Sequence, residues 1–115
     1  MYFLVLFRPG PAWRAGAPLE EQPFTIEHAV HLQKVYQEQK VFMGGPCEDK
    51  SDLLSVVLLQ AASETEAFGS IQDNPFVTQG VVKIEVHPWQ VVFGPPSAER
   101  RISAGGKTRT EALAY

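Results

Sequence analysis

Histidine is the side chain best suited to proton transfer at neutral pH, and two of the three histidines in this chain lie close together. His28 and His31 are three positions apart in "TIEHAVHLQK", residues 25–34. An imidazole changes its charge near neutral pH and can also bind a metal. Residues at i and i+3 are neighbours on a helix surface, so a helix across this segment would bring the two rings together.

Placement around a helix gives the two histidines different surroundings. With successive residues about 100° apart, the apolar positions predict a core-facing stripe of Ile26, Ala29, Leu32 and Tyr36. On this placement His28 lies at the margin of that stripe, and His31 lies toward the polar face. His28 is therefore the better candidate for a pocket. A boundary histidine without a chemical role is the alternative for His28, and a solvated surface histidine is the simplest interpretation of His31.

Metal binding and nucleophilic catalysis have little support in the sequence. Zinc sites need three or four ligands, and paired helical histidines usually follow the H-E-x-x-H spacing, which this chain lacks. Cys47 precedes Glu48 and Asp49, whose charges disfavour a thiolate. The sequence predicts no metal and no cofactor. General acid–base chemistry in an apolar pocket remains, with polar partners to be found among Arg8, Asp73, Asn74, Glu85 and His87.

The elements that must position these side chains follow from apolar periodicity and turn signals. Thr25 is the predicted N-cap of a helix over 26–39, and "SETE" at 63–66 has the form of a capping box that opens a helix over 64–72. Strands are predicted at 2–8, 40–44, 53–61 and 80–93, with "GGP" (44–46) as a turn. This order, β-α-β-β-α-β, predicts an α+β, ferredoxin-like domain.

The remaining segments predict a long loop, a dimer and a separate tail. Residues 9–23 form either the rim of a site or a surface loop pinned by Trp13. Strands 2–8 and 53–61 are apolar on both faces, although one face of such a sheet is open to water. A homodimer that covers this face is therefore expected. The predicted ferredoxin-like domain spans 1–93, and residues 94–115 are predicted to be a flexible tail or an arm over the partner subunit.

Composition limits the partners. The net charge of −3 provides no basic field for nucleic acid or for a membrane surface. The apolar start is too short to span a bilayer and lacks the features of a signal peptide. A single cysteine fits a reducing, cytoplasmic location.

Three segments resemble the YCII-related family: "HAVHLQKVYQEQKVFMGGP" (28–46), "DNPFVTQGVV" (73–82) and "EVHPW" (85–89). The resemblance implies a dimeric α+β barrel with a His–Asp pair in a pocket, and it assigns the family histidine to His28. The family aspartate stands immediately before the proline, where this chain has Asn74; Asp73 is one position early. Gln39 also replaces the glycine that usually ends the first helix.

The resemblance implies a cofactor-free enzyme, because relatives act as lactone isomerases or as dehydrochlorinases of chlorinated hydroxyquinols. On this hypothesis His28 is the general acid or base, and Asp73 or Asn74 orients it. The expected substrate contacts are Arg8, Trp13, Phe76 and His87. The alternative is a non-catalytic module that binds a small ligand. A more distant option is haem binding through one histidine, as in some dimeric α+β barrels.

Overall fold

The chain forms an α+β domain in which helices cover one face of a four-stranded antiparallel sheet. The computed structural model describes residues 1–49 and 51–94. Its elements are β1 (Tyr2–Pro9), a 3-10 turn (Leu19–Glu21), α1 (Thr25–Gln37), β2 (Val41–Pro46), β3 (Ser55–Gln60), α2 (Glu64–Ile71), α3 (Pro75–Thr78) and β4 (Val82–Trp89). The predicted ferredoxin-like architecture is confirmed. Apart from Gly94, the tail predicted over 94–115 lies outside the described residues.

The sheet order β2-β3-β1-β4 places the two most apolar strands in the centre. On β1, Val5 is opposite Val57 on one side and Val86 on the other. Pro88 lies on β4, which is an edge strand, as a residue without a backbone N–H requires. The apolar character of residues 2–8 and 53–61 on both faces is therefore explained in part by central positions in the sheet.

The main core lies between the sheet and the helices. Alternate side chains of β1 point to this face, and α3 contributes Phe76. The buried members are Phe3, Val5, Phe7, Val35, Val57, Leu59, Ala61, Ala67, Ile71, Phe76, Val81 and Val82. This core holds α1 and α3 side by side, which matters for the site described below.

A smaller cluster occupies the other face of the sheet. Tyr2, Leu58 and Val91 are buried there, and Leu4 and Phe42 pack against them. Val91 comes after β4, so the chain itself covers part of the face that the sequence predicted to be open. The homodimer over the rest of this face stays a prediction.

Helix α1 differs from its predicted orientation and boundaries. Its N-cap is Phe24 rather than Thr25, with a left-handed φ of 67°. The predicted stripe was right at Leu32, which packs against the core, and wrong at Ile26 and Tyr36, which are 75% and 58% exposed. Val35 faces the core together with His28 (i and i+7), because Phe76 and Asn74 provide contacts for the imidazole ring. Apolar periodicity does not count a histidine as a core residue.

The end of α1 has a geometry that normally favours glycine. Gln39 has a φ of 62°. Its N–H bonds to the carbonyl of Tyr36, and the N–H of Lys40 bonds to that of Val35, which is the Schellman pattern. A non-glycine residue in this conformation costs about 1 kcal/mol. Among the described residues, Gln39 and Phe24 are the non-glycine positions with positive φ, and they flank α1.

Two local predictions are corrected by the strand and helix bounds. Gly44, Gly45 and Pro46 belong to β2 and do not form a turn, since an edge strand tolerates proline. Helix α3 was not anticipated.

At α2, Ser63 Oγ accepts from the N–H of Glu66 at 3.1 Å, so the predicted cap is present. The Glu66 carboxylate accepts from the N–H of Ala62, one residue before the position expected in a capping box.

Candidate functional site

The His28 ring contacts a buried amide. Asn74 is fully buried, and its Nδ2 lies 2.8 Å from His28 Nδ1, with its Oδ1 3.1 Å from the same nitrogen. Asn74 is the N-cap of α3, and Oδ1 accepts from the N–H of Phe76 at 3.0 Å. Pro75 at the first helical position favours this cap. One side chain therefore caps α3 and also contacts the His28 ring.

Two aromatic rings fix the plane of the imidazole. Phe76 stacks on His28 with ring centroids 4.1 Å apart and an angle of 13° between the planes. Phe7 meets the imidazole edge-to-face at 5.9 Å and 74°. Both phenylalanines are buried core residues. Together with the bond to Asn74, these contacts leave the ring little freedom to rotate.

Burial sets the charge of His28. Removal from water lowers the pKa of His28 below its ordinary value of 6.5, and repulsion from His31 lowers it further. The hydrogen bond with Asn74 opposes this change, but burial is the larger effect. His28 is therefore neutral at pH 7.

His28 lines a cleft of about 580 Å³ between α1 and the β2 side of the sheet. The walls are mostly apolar, and Ser55 and Gln33 contribute polar groups. The lining residues are Leu19, His28, Ala29, Leu32, Gln33, Tyr36, Val41, Phe42, Met43, Gly44, Gly45, Pro46, Ser55 and Val57. Concave apolar sites with a few polar groups are typical of small-ligand binding.

The sequence did not identify the β2 wall or Ser55 as part of a site. A side chain at Gly44 would be crowded, because a Cβ atom there would lie 3.0 Å from Val57 Cγ2. Ser55 is opposite Phe7 in the sheet, which places it on the face that carries the cleft. Leu19 also lines the cleft from the long loop, so the rim predicted over 9–23 is present at this one residue. Two sequence features could have pointed to this part of the site: the Gly-Gly pair on an edge strand and the lone serine that begins an apolar strand.

The long loop is held by a buried glutamine. Gln22 is 3% exposed, and its amide bonds to the N–H and carbonyl of Arg14 and to the carbonyl of Ala17. Trp13 packs against the main core but does not line the cleft. The predicted contact between Trp13 and a substrate therefore has no support from this cleft.

The second histidine of α1 and the predicted partner Asp73 lie outside the His28–Asn74 contact. His31 is half-buried, and its Nδ1 is buried without a hydrogen-bond partner. Burial lowers the pKa of His31, and the charge of Asp73 opposes this. Asp73 itself is exposed. Asp73 thus interacts with His31, and Asn74 is the residue that reaches His28.

Two further predicted contacts, Arg8 and His87, lie on the opposite face of the sheet. Phe7 points toward His28, so the next residue on β1, Arg8, points away. Arg8 Nε bonds to Glu85 Oε1 at 2.8 Å, and His87 Nε2 lies 3.4 Å from Glu85 Oε2. In a single copy of the chain these charges are partly exposed to water, and the sheet separates them from the cleft.

Metal clusters and membrane-spanning helices are both absent from the described residues, 1–49 and 51–94. These residues contain no group of three or more His, Cys, Asp or Glu side chains arranged to hold a metal ion. Within the same ranges, no helix has the length and apolar character needed to cross a bilayer.

Comparison with known proteins identifies the family. The sequence model of the YCII-related domain matches residues 1–90. The chain belongs to the YCII-related family. The resemblance that the sequence motifs indicated is therefore confirmed. No match was found among curated protein sequences.

This YCII-related chain also resembles a solved structure. It is 24% identical to the 5-chloro-2-hydroxyhydroquinone dehydrochlorinase of Burkholderia phenoliruptrix AC1100, determined in complex with 2,5-dihydroxybenzoquinone. The TM-score is 0.51, and the match covers 77% of this chain and 93% of that enzyme. At this identity the likeness supports the fold.

Proposed function

We propose that this YCII-related protein is a cofactor-free enzyme of lyase or isomerase type that acts on a small, flat substrate. The substrate binds in the cleft between α1 and β2, and His28 is the acid–base group. Asn74 and Phe76 position His28. Aromatic-derived or lactone-type compounds are the substrate class, and the dehydrochlorinase named above acts on one such compound.

The observation that carries this proposal is the fixed His28 ring at an apolar cleft. A buried amide, a stacked phenylalanine and an edge-on phenylalanine hold one imidazole in place. A surface histidine needs no such support. A group held in one orientation beside a cavity is what general acid–base catalysis requires.

The direct test is chloride release from 5-chloro-2-hydroxyhydroquinone by the wild type, His28→Gln and His87→Gln. Loss of an acid–base group should reduce the rate by about 100-fold or more in His28→Gln. His87→Gln is the matched control, since this histidine lies on the opposite face, and it should retain wild-type turnover. Equal turnover by the wild type and His28→Gln would refute the role of His28.

A second candidate function is a non-catalytic module that binds a small ligand or regulates another process. The favouring observation is that the partner of His28 is an amide. A carboxylate would raise the basicity of the imidazole, whereas the amide adds no charge. Binding of 2,5-dihydroxybenzoquinone in the cleft, with no turnover of any chlorinated hydroxyquinol, would support this candidate over the enzyme.

The homodimer and the cytoplasmic location belong to the same proposal. Leu4, Leu6 and Val56 are only half-buried on the sheet face away from the helices, and Val91 covers only part of that face. A second copy packed there would remove these side chains from water. Sedimentation at micromolar concentration should show a dimer, and Leu6→Glu should shift it toward monomer.

A further inference from the structure

The hydrogen bonds of Asn74 determine which nitrogen of His28 carries the proton. Asn74 Oδ1 accepts from the N–H of Phe76 at 3.0 Å, which fixes the orientation of the amide, and Nδ2 can only donate. Oδ1 has a second lone pair 3.1 Å from His28 Nδ1, but the donor Nδ2 is the closer of the two atoms. Nδ2 lies 2.8 Å from His28 Nδ1. If the amide were turned around, two donors would face each other at the buried N–H of Phe76, and that bond would be lost.

An amide N–H that donates to Nδ1 requires Nδ1 to be unprotonated. A neutral imidazole has one N–H, which must then be at Nε2. Protonation of the ring would add a proton at Nδ1 opposite the Nδ2 donor, so the amide would have to shift before Oδ1, now 3.1 Å away, could accept that proton. In both charge states Nε2 carries a hydrogen.

The Nε2 edge of His28 is available to a ligand. No side chain in the described part of the chain forms a hydrogen bond with this nitrogen, and it is not among the buried unpartnered atoms there. The ring itself lines the cleft. The cleft therefore presents an N–H donor and not a lone pair.

We propose that Asn74 is a positioning residue that makes His28 a hydrogen-bond donor through Nε2–H, so that the cleft selects a flat ligand with an acceptor oxygen. A quinone carbonyl or a phenolate oxygen fits this description. The proposal rests on the proposed function and narrows it: of the acid and base roles assigned to His28 there, it keeps donation from Nε2–H and excludes the base role. In that role His28 stabilises negative charge on a ligand oxygen, and the resting enzyme does not use Nε2 as a base.

Long-range ¹H–¹⁵N spectra of imidazole side chains test the tautomer directly, since they distinguish protonated from unprotonated ring nitrogens. The wild type at pH 7 should show a protonated Nε2 and an unprotonated Nδ1 for His28. In Asn74→Asp the carboxylate can only accept, so the proton should move to Nδ1. His31→Gln is the matched control and should keep the wild-type pattern at His28. A protonated Nδ1 with a bare Nε2 in the neutral wild-type ring would overturn the proposal, whether or not the variants fold.

Ligand binding tests whether the cleft prefers a ligand with an acceptor oxygen. The probes are 2,5-dihydroxybenzoquinone, whose carbonyl oxygens accept hydrogen bonds, and p-xylene, a ring of similar size without oxygen. His28→Phe keeps a flat ring but removes the donor, so the quinone should bind about tenfold or more weakly to this variant. The affinity for p-xylene should not fall. Quinone binding of equal strength in the two proteins would contradict the proposal.

The two proposals can fail separately. The predicted tautomer and quinone binding, without turnover of any hydroxyquinol, would remove the enzymatic function and leave this inference standing. Turnover by an enzyme whose His28 has a bare Nε2 would remove this inference and leave the enzymatic function.

Discussion

The two faces of the sheet use the same kind of side chain in opposite ways. On the helix face, His28 is half-buried, bonded to an amide and stacked on Phe76. On the other face, His87 is exposed beside Glu85, which also pairs with Arg8. Burial makes the position and charge of His28 costly to change, whereas water screens the Glu85 network. The comparison shows that the surroundings of a histidine, more than its presence, mark a candidate site.

The largest expected effect is on the packing that supports His28. Phe76→Ala removes a fully buried ring that contacts both the core and the imidazole, so the free energy of unfolding should fall by about 3–5 kcal/mol. Denaturant titration measures this change. The matched substitution His87→Ala on the other face should change stability by less than about 0.5 kcal/mol. Similar losses at the two positions would break the proposed contrast between the faces.

A smaller loss in the free energy of unfolding is expected when the Asn74 amide is removed. Asn74→Ala leaves the buried N–H of Phe76 and His28 Nδ1 without partners, at a cost of about 1–3 kcal/mol. Asn74→Ser is an informative companion, because serine is also a good N-cap but is too short to replace the amide at His28. It should recover part of the stability and leave the His28 ring less fixed. Full stability in Asn74→Ala would show that the amide is not needed to hold this region.

The pH dependence of stability should separate the two faces. Because burial lowers the pKa of His28, the unfolded chain binds more protons than the folded chain below the ordinary value of 6.5. The stability that the neutral ring provides is therefore complete above pH 6.5 and is lost as the pH falls from there toward the folded pKa. His28→Gln should make unfolding free energy less dependent on pH in this window. An unchanged slope between the wild type and the variant would contradict the assigned burial effect.

On the other face, the ionisation of Glu85 should affect stability only weakly and at a lower pH. The hydrogen bond from Arg8 holds the pKa of Glu85 below its ordinary 4.5, so its contribution is present above pH 4.5 and is lost as the pH falls further. Glu85→Gln should therefore produce the smallest effect of the series, and added salt should reduce it. A change at pH 7 as large as that of Asn74→Ala would mean that Glu85 is buried, as it could be in the proposed dimer, and is not screened by water.

The architecture could be predicted because the strands have strong patterns. Strands 2–8 and 53–61 are long apolar runs bounded by turn signals, and their central positions follow from that character. The choice of His28 over His31 came from helical placement and from the family motif, although the apolar stripe itself was misplaced in part. An imidazole that is bonded and stacked can face a core, and a hydrophobic pattern does not record this.

The partner of His28 could not be chosen from the sequence, because Asp73 and Asn74 are adjacent. The decision depends on α3, which is too short to give a periodic signal. Asn74 caps this helix and turns inward, while Asp73 stays exposed. The orientation of Arg8 could have been predicted from the sequence. Successive strand residues point to opposite faces, so a core position for Phe7 requires Arg8 to point to the other face.

The most direct test of the account is a map of where 2,5-dihydroxybenzoquinone binds, from backbone amide shifts of the labelled protein. Binding in the cleft should shift the amides of His28, Gly44 and Gly45, and those of Arg8, Glu85 and His87 should stay in place. Shifts confined to Arg8, Glu85 and His87 would place the ligand on the opposite face of the sheet and contradict the central claim.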